Sequence, residues 1–108
     1  VGAGANVNAT DNVEGDTPLF LPACFGHVVV VQMLIGAGAN VNARTSKGGF
    51  TPLFVSTLNG RLEVSQILVE AGANVNCASN TGTTPLHWAA ETGHKKVSQM
   101  LVRAGANV

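Results

Sequence analysis

Charge is what this sequence has least of. Six basic and six acidic side chains make up 11% of 108 residues, and they cancel. A net charge near zero argues against a nucleic-acid binder, which needs a basic face to displace counterions. The same balance argues against an anionic membrane surface. So little charge leaves two readings of the surface: much of it is uncharged, or it is covered by further protein. Cysteine is scarce as well. Cys24 and Cys77 stand far apart, whereas a small secreted domain stapled by disulfides carries more. Reduced thiols and an intracellular, cytoplasmic setting are expected, with the nucleus as an alternative. No apolar run approaches the ~18 residues that span a bilayer, and no secretory leader is recognised, so no membrane insertion is expected.

Sites for chemistry are missing too. Cys24 and His27 have a C-x-x-H spacing, with His87 and His94 elsewhere. A structural metal site draws on about four convergent ligands, and the spacing supplies no such set. Cys24 has no histidine and carboxylate placed to activate it. Gly2-Ala3-Gly4 begins like a dinucleotide fingerprint, but Val7 stands where the third glycine belongs, and no strand precedes it. Asn8-Ala9-Thr10 spells a glycosylation triplet, which is common by chance and expected to be idle. The expectation is a protein without catalytic activity, cofactor or metal.

What is present is repetition. Ala-Gly-Ala-Asn-Val begins at Ala3, Ala37, Ala71 and Ala104, at intervals of 34, 34 and 33 residues. Thr-Pro-Leu keeps step from Thr17, Thr51 and Thr84. Two independent markers on one period indicate stacked supersecondary units. Threonine suits an N-cap and proline the first helical position, so each Thr-Pro opens a short helix. The helix ends at Gly26, Gly60 or Gly93. A second helix follows, with apolar trios Val30, Met33 and Leu34; Val64, Ile67 and Leu68; and Val97, Met100 and Leu101 on one face. It stops at Gly4, Gly38, Gly72 or Gly105, each placed for a left-handed C′ residue.

The stretch Gly82-Thr83-Thr84-Pro85-Leu86-His87-Trp88-Ala89-Ala90-Glu91-Thr92-Gly93-His94, with the second-helix pattern and Gly105-Ala106-Asn107-Val108 after it, resembles the ankyrin repeat. The resemblance covers nearly the whole chain. It implies an all-α solenoid: antiparallel helix pairs stacked in one domain over 1–108, with projecting hairpin-like loops. The expected division is the tail of a preceding repeat over 1–9, then repeats over 10–43, 44–77 and 78–108. Neither end reads as a polar cap, so a piece of a longer or engineered array is expected, and self-association through the ends stays open.

Four departures from the pattern stand out. Repeats one and two carry an extra loop residue, expected to bulge the loop tip. The resemblance gives the histidine after Thr-Pro-Leu a stitching role between repeats, which falls to His87; Phe20 and Phe54 replace it elsewhere. Pro22 lies inside the first helix, where it removes a hydrogen bond and crowds a carbonyl, so a distorted or 3₁₀-like helix is expected. Ser56-Thr57 replaces the small Ala-Ala pair. In the run Val28 to Val31, Val30 is assigned to the core and Val29 to solvent.

The resemblance also implies where a partner would bind: the loop tips and the exposed side of the first helices. The positions that match are Asp16, Lys47, Phe50 and Thr83 in the loops, with Leu21, Cys24, Phe25, Val55, Leu58, Asn59, Trp88, Glu91 and Thr92 on the helices. Tryptophan and phenylalanine are effective interface anchors. The alternative is that Leu21, Val55 and Trp88 pack against neighbouring helices. The first loop is acidic (Asp11, Glu14, Asp16) and the second basic (Arg44, Lys47), either through attraction between loops or to orient a partner. Family resemblance further makes Asn8, Asn42 and Asn76 candidates for hydroxylation. The function expected is recognition of another protein by the concave face; a structural spacer in a longer array is the alternative.

Overall fold

The computed structural model describes residues 17–108. Six helices follow in order: α1 (Phe20–Phe25), α2 (Val28–Gly36), α3 (Pro52–Leu58), α4 (Leu62–Glu70), α5 (Pro85–Glu91) and α6 (Lys95–Arg103). They form three pairs, and like helices stack: α1 on α3 on α5, and α2 on α4 on α6. The first helices approach one another more closely than the second helices do. Small or short side chains at Ala23, Ser56, Thr57 and Ala89, all fully buried, permit that approach. No strand occurs among the described residues.

Caps follow the sequence in two repeats of three. Thr51 and Thr84 accept hydrogen bonds from the backbone N–H of Phe54 and His87, each with proline at the next position. Thr17 does not cap. The helix there begins at Phe20, one turn is closed by Phe20 N–H donating to Thr17 O at 3.1 Å, and Leu19 takes the N-cap place without a side-chain bond. Pro22 explains the delay. In the later start it is the third helical residue, where no intrahelical partner for its missing N–H is needed. The expected distorted or 3₁₀-like helix takes the form of an i→i−3 turn at Thr17–Phe20 followed by a shortened α-helix. The C-terminal glycines behave as read: Gly38, Gly72 and Gly105 have φ of 95°, 100° and 97°.

The core runs through all pairs: Leu19, Ala23, Val31 and Leu34; Leu53, Val64 and Leu68; Ala89, Val97 and Leu101. One assignment is overturned. Val30 is 42% exposed, whereas its counterparts Val64 and Val97 are 1% and 2% exposed, and Val31 is the buried valine of α2. Val29 is exposed as expected. Ser56 and Thr57 are buried yet satisfied: the Ser56 hydroxyl donates to Leu53 O and shares a 2.8 Å bond with the Ser65 hydroxyl, and Thr57 donates to Phe54 O. Such bonds remove the cost of burying a hydroxyl.

Repeats are stitched by two ladders. Asn42 donates its side-chain amide to Gly72 O and accepts from Asn74 N–H; Asn76 does the same with Gly105 O and Asn107 N–H. Asn40 and Asn74 meanwhile cap their own turns, accepting from Asn42 and Asn76 N–H. The second ladder corrects the stitching role given to His87, which is exposed. Arg61 Nε donates to Cys24 O at 3.2 Å, and His94 Nε2 pairs with Leu58 O at 3.1 Å. Both reach from the residue after the inter-helix glycine back to the end of the preceding first helix. That residue sits at the junction of the two helices of its own repeat.

Candidate protein-binding groove

Loop two carries the extra residue, and the structure assigns it to glycine. Gly48 and Gly49 both adopt left-handed backbone, with φ of 85° and 66°, where loop three has only Gly82. The loop closes through Thr45: its N–H donates to Phe50 O, its hydroxyl donates to Lys47 O, and the same oxygen accepts from Phe50 N–H. A Cβ at Gly48 would overlap the Phe50 ring, so the glycine allows the ring to lie flat on the loop. On its other side that ring meets Phe54, centroid to centroid at 4.9 Å. Phe50 is thereby fixed, half-buried, between loop and helix.

Beside it opens a groove of about 360 Å³ between repeats one and two. Its lining is Phe20, Cys24, Thr45, Lys47, Phe50, Phe54, Val55, Leu58 and Asn59. The volume lies at the small end of the range for ligand-binding clefts. Six of the sequence-derived positions meet here: Cys24, Lys47, Phe50, Val55, Leu58 and Asn59. Val55 is buried and serves the core as much as the groove. Asn59 is held by bonds from its amide to Val55 O and Cys24 Sγ.

The remaining positions lie apart from this lining. Leu21 and Phe25 are exposed on α1, with Phe25 near the His27 ring at 6.1 Å. Thr83 is engaged within loop three, sharing a 2.7 Å bond with the Ser79 hydroxyl. Thr92 closes its own helix by donating to Trp88 O. Glu91 borders a second depression with Leu86, His87 and Ala90. Trp88 is partly exposed on α5 and belongs to neither. Asp16, the acidic first loop, Gly4, Asn8 and the tail over 1–9 lie outside the described residues.

Sequence reasoning missed Phe20, Thr45 and Phe54 as groove residues. Phe20 and Phe54 had been read only as histidines lost. Their position on the first helix, one turn from Cys24 and Leu58, was the available signal. The charge contrast between loops acquires one structural detail: Arg44 reaches loop three, donating to Asn80 Oδ1 at 3.3 Å and to Cys77 Sγ at 3.7 Å. Loops two and three are also joined by Asn80 N–H donating to Gly48 O. Cys24 and Cys77 are both free thiols. No cluster of three or more histidine, cysteine, aspartate or glutamate side chains is found among the described residues. No described helix is long and apolar enough to cross a membrane.

A search of curated protein sequences returned no significant match. A family model described as ankyrin repeats, three copies, matches residues 1–79 and 45–108, which together take in the whole chain. Ankyrin repeats are generally protein–protein interaction modules, and the family is typically non-enzymatic. With the period, the caps, the two asparagine-and-turn ladders and the six stacked helices all in accord, the chain belongs to the ankyrin-repeat family.

Proposed function

We propose that this chain is a non-catalytic recognition module that seats an extended segment of another protein in the groove between repeats one and two. The observation that carries the reading is the lining itself. Phe20, Phe50 and Leu58 offer half-buried apolar surface beside the exposed Lys47 and Asn59. Aromatic surface held rigid before binding loses little entropy when a partner arrives. Phe50 meets that condition, pinned between Gly48 and Phe54. An apolar side chain of the partner fills the groove, and polar groups at its rim set direction. Trp88 and Glu91, exposed on α5, extend the surface for a longer segment.

Selection of displayed peptides on the immobilised chain tests this. Enriched peptides are titrated into labelled protein, and amide shifts are mapped. Shifts centred on Phe20, Cys24, Phe50 and Leu58, with affinity lost in Phe50→Ala and altered in Lys47→Glu, bear the reading out. Lys47 is exposed, so its substitution leaves the fold intact. Shifts centred elsewhere, or affinity indifferent to both substitutions, would leave the chain as a spacer within an array.

A further inference from the structure

From Thr17 to Leu62 the chain has three lysine and arginine side chains, Arg44, Lys47 and Arg61, and no carboxylate. Asp11, Glu14 and Asp16 precede this span and lie outside the described residues. The three cations are placed differently. Arg44 is engaged by loop three, through Asn80 Oδ1 and Cys77 Sγ. Lys47 lines the groove from loop two, at the N-terminal end of α3. Arg61 follows the turn at Gly60, at the C-terminal end of the same helix.

Arg61 is the most specific of the three. Its Nε donates to Cys24 O at 3.2 Å, and its Cδ lies 2.9 Å from where a Cβ on Gly26 would stand. Cys24 lines the groove, so the guanidinium is anchored to the backbone of a lining residue. A guanidinium carries five N–H donors, and the stitching bond uses one. Nη1 and Nη2 enter no hydrogen bond or ion pair among the described residues, and neither does the Lys47 ammonium. A planar guanidinium fixed through Nε presents its remaining N–H groups as a fork that matches the two oxygens of a carboxylate. Repeat three shows that stitching does not require that fork. There His94 makes the equivalent bond to Leu58 O with an imidazole. The extra donors of Arg61 are therefore surplus to the frame.

We propose that the segment seated in the groove carries two acidic side chains flanking an apolar anchor, one meeting Lys47 and the other Arg61. This rests on the reading of the groove as a peptide site and adds the chemistry of the occupant. The half-buried surfaces of Phe20, Phe50 and Leu58 receive the anchor. Charge complementarity at the two ends fixes its register, because a basic side chain at either flank would face a cation. The spacing follows from the helix. From Thr51 to Asn59, α3 and its caps advance about 12 Å at 1.5 Å per residue. An extended segment advances about 3.3 Å per residue, so the two acids stand about four positions apart with the anchor between them.

Peptides enriched from a random displayed library on the complete chain are the probes. Each is synthesised as found and with its acids replaced by asparagine or glutamine. The enriched sequences are expected to hold an aliphatic or aromatic residue between two acids about four positions apart. Replacing both acids is expected to weaken binding about tenfold at low salt, and the difference to shrink in concentrated salt. Two variants of the chain assign the ends. Lys47→Glu is expected to reverse the preference at one acid, so that a peptide with lysine there binds the variant better than the parent peptide does. Arg61→His keeps a stitching imidazole of the kind repeat three uses, and circular dichroism checks its fold. At about pH 8, where an imidazole is uncharged, it is expected to lose the preference at the other acid only. Peptides whose amide shifts centre on Phe50 and Leu58, but which bind equally well without acids or ignore both substitutions, overturn this proposal and leave the groove reading standing. Shifts centred elsewhere, or a library that yields no groove binder, overturn the groove reading and this proposal with it.

Discussion

Substituting one register position in three repeats measures what burial at that position contributes. Val30, Val64 and Val97 occupy the same place on α2, α4 and α6. Valine to alanine removes two methyl groups, about 1.6 kcal/mol by transfer at ~0.8 kcal/mol per buried carbon. Val64 and Val97 are 1% and 2% exposed, so a cavity term adds to this and the expected loss is about 2–3 kcal/mol. Val30 is 42% exposed. A little over half of the transfer term applies and no cavity closes over, so the loss is about 1 kcal/mol or less. For a domain of this size the difference corresponds to roughly 10 °C in Tm. Urea unfolding followed by far-UV circular dichroism reads it. An unchanged m-value shows that the comparison is fair. Equal costs at Val30 and Val64 would refute the claim that burial sets the cost at this position.

Other substitutions test separate parts of the frame. Thr51→Ala removes a side-chain cap and is expected to cost about 1 kcal/mol in urea unfolding, whereas Thr17→Ala, at a site with no cap bond, stays within about 0.5 kcal/mol. Asn76→Ala breaks both of its bonds to repeat three, and the same assay is expected to show a loss of about 1–3 kcal/mol, at 0.5–1.5 kcal/mol for each bond. Pro22→Ala restores a donor for Pro18 O, and helical carbon chemical shifts are expected to spread back to Pro18 and Leu19. Shifts that still begin at Phe20 would remove Pro22 as the reason for the short helix.

Most of the frame was legible because it rests on local rules repeated in phase. Threonine caps, left-handed glycines and the i, i+3, i+4 spacing each act within a few residues, and repetition made each visible three times. What sequence misjudged was contact with a neighbour. Val30 matches Val64 letter for letter, yet 42% of the first and 1% of the second is exposed. The stitching residue was misplaced for a similar reason. Arg61 and His94 look like turn residues in their own repeats, and only the stack brings them onto Cys24 O and Leu58 O. The groove was half legible: loop and helix positions were named from resemblance, while the packing that fixes Phe50 depends on Gly48 and Phe54 together.

The groove lies where this chain leaves its own repeat pattern. At the position after Thr-Pro-Leu, repeat three has His87, which is exposed, while repeats one and two have Phe20 and Phe54. Just before the threonine, repeat three has Thr83, tied into its own loop, while repeat two has Phe50, carried outward by the extra glycine. One turn along the helix, Glu91 stands opposite Cys24 and Leu58. Each exchange replaces a polar group with an apolar one, and all of them converge on the junction of repeats one and two. An interface that served stacking alone would gain nothing from apolar surface facing a solvent-open groove, since that surface contributes only when water is displaced from it. At these positions the stitching ladders use only the backbone carbonyls of Cys24 and Leu58, so the side chains are free to vary there. Repetition supplies the rigid wall, and the places where repetition fails supply the surface for a partner.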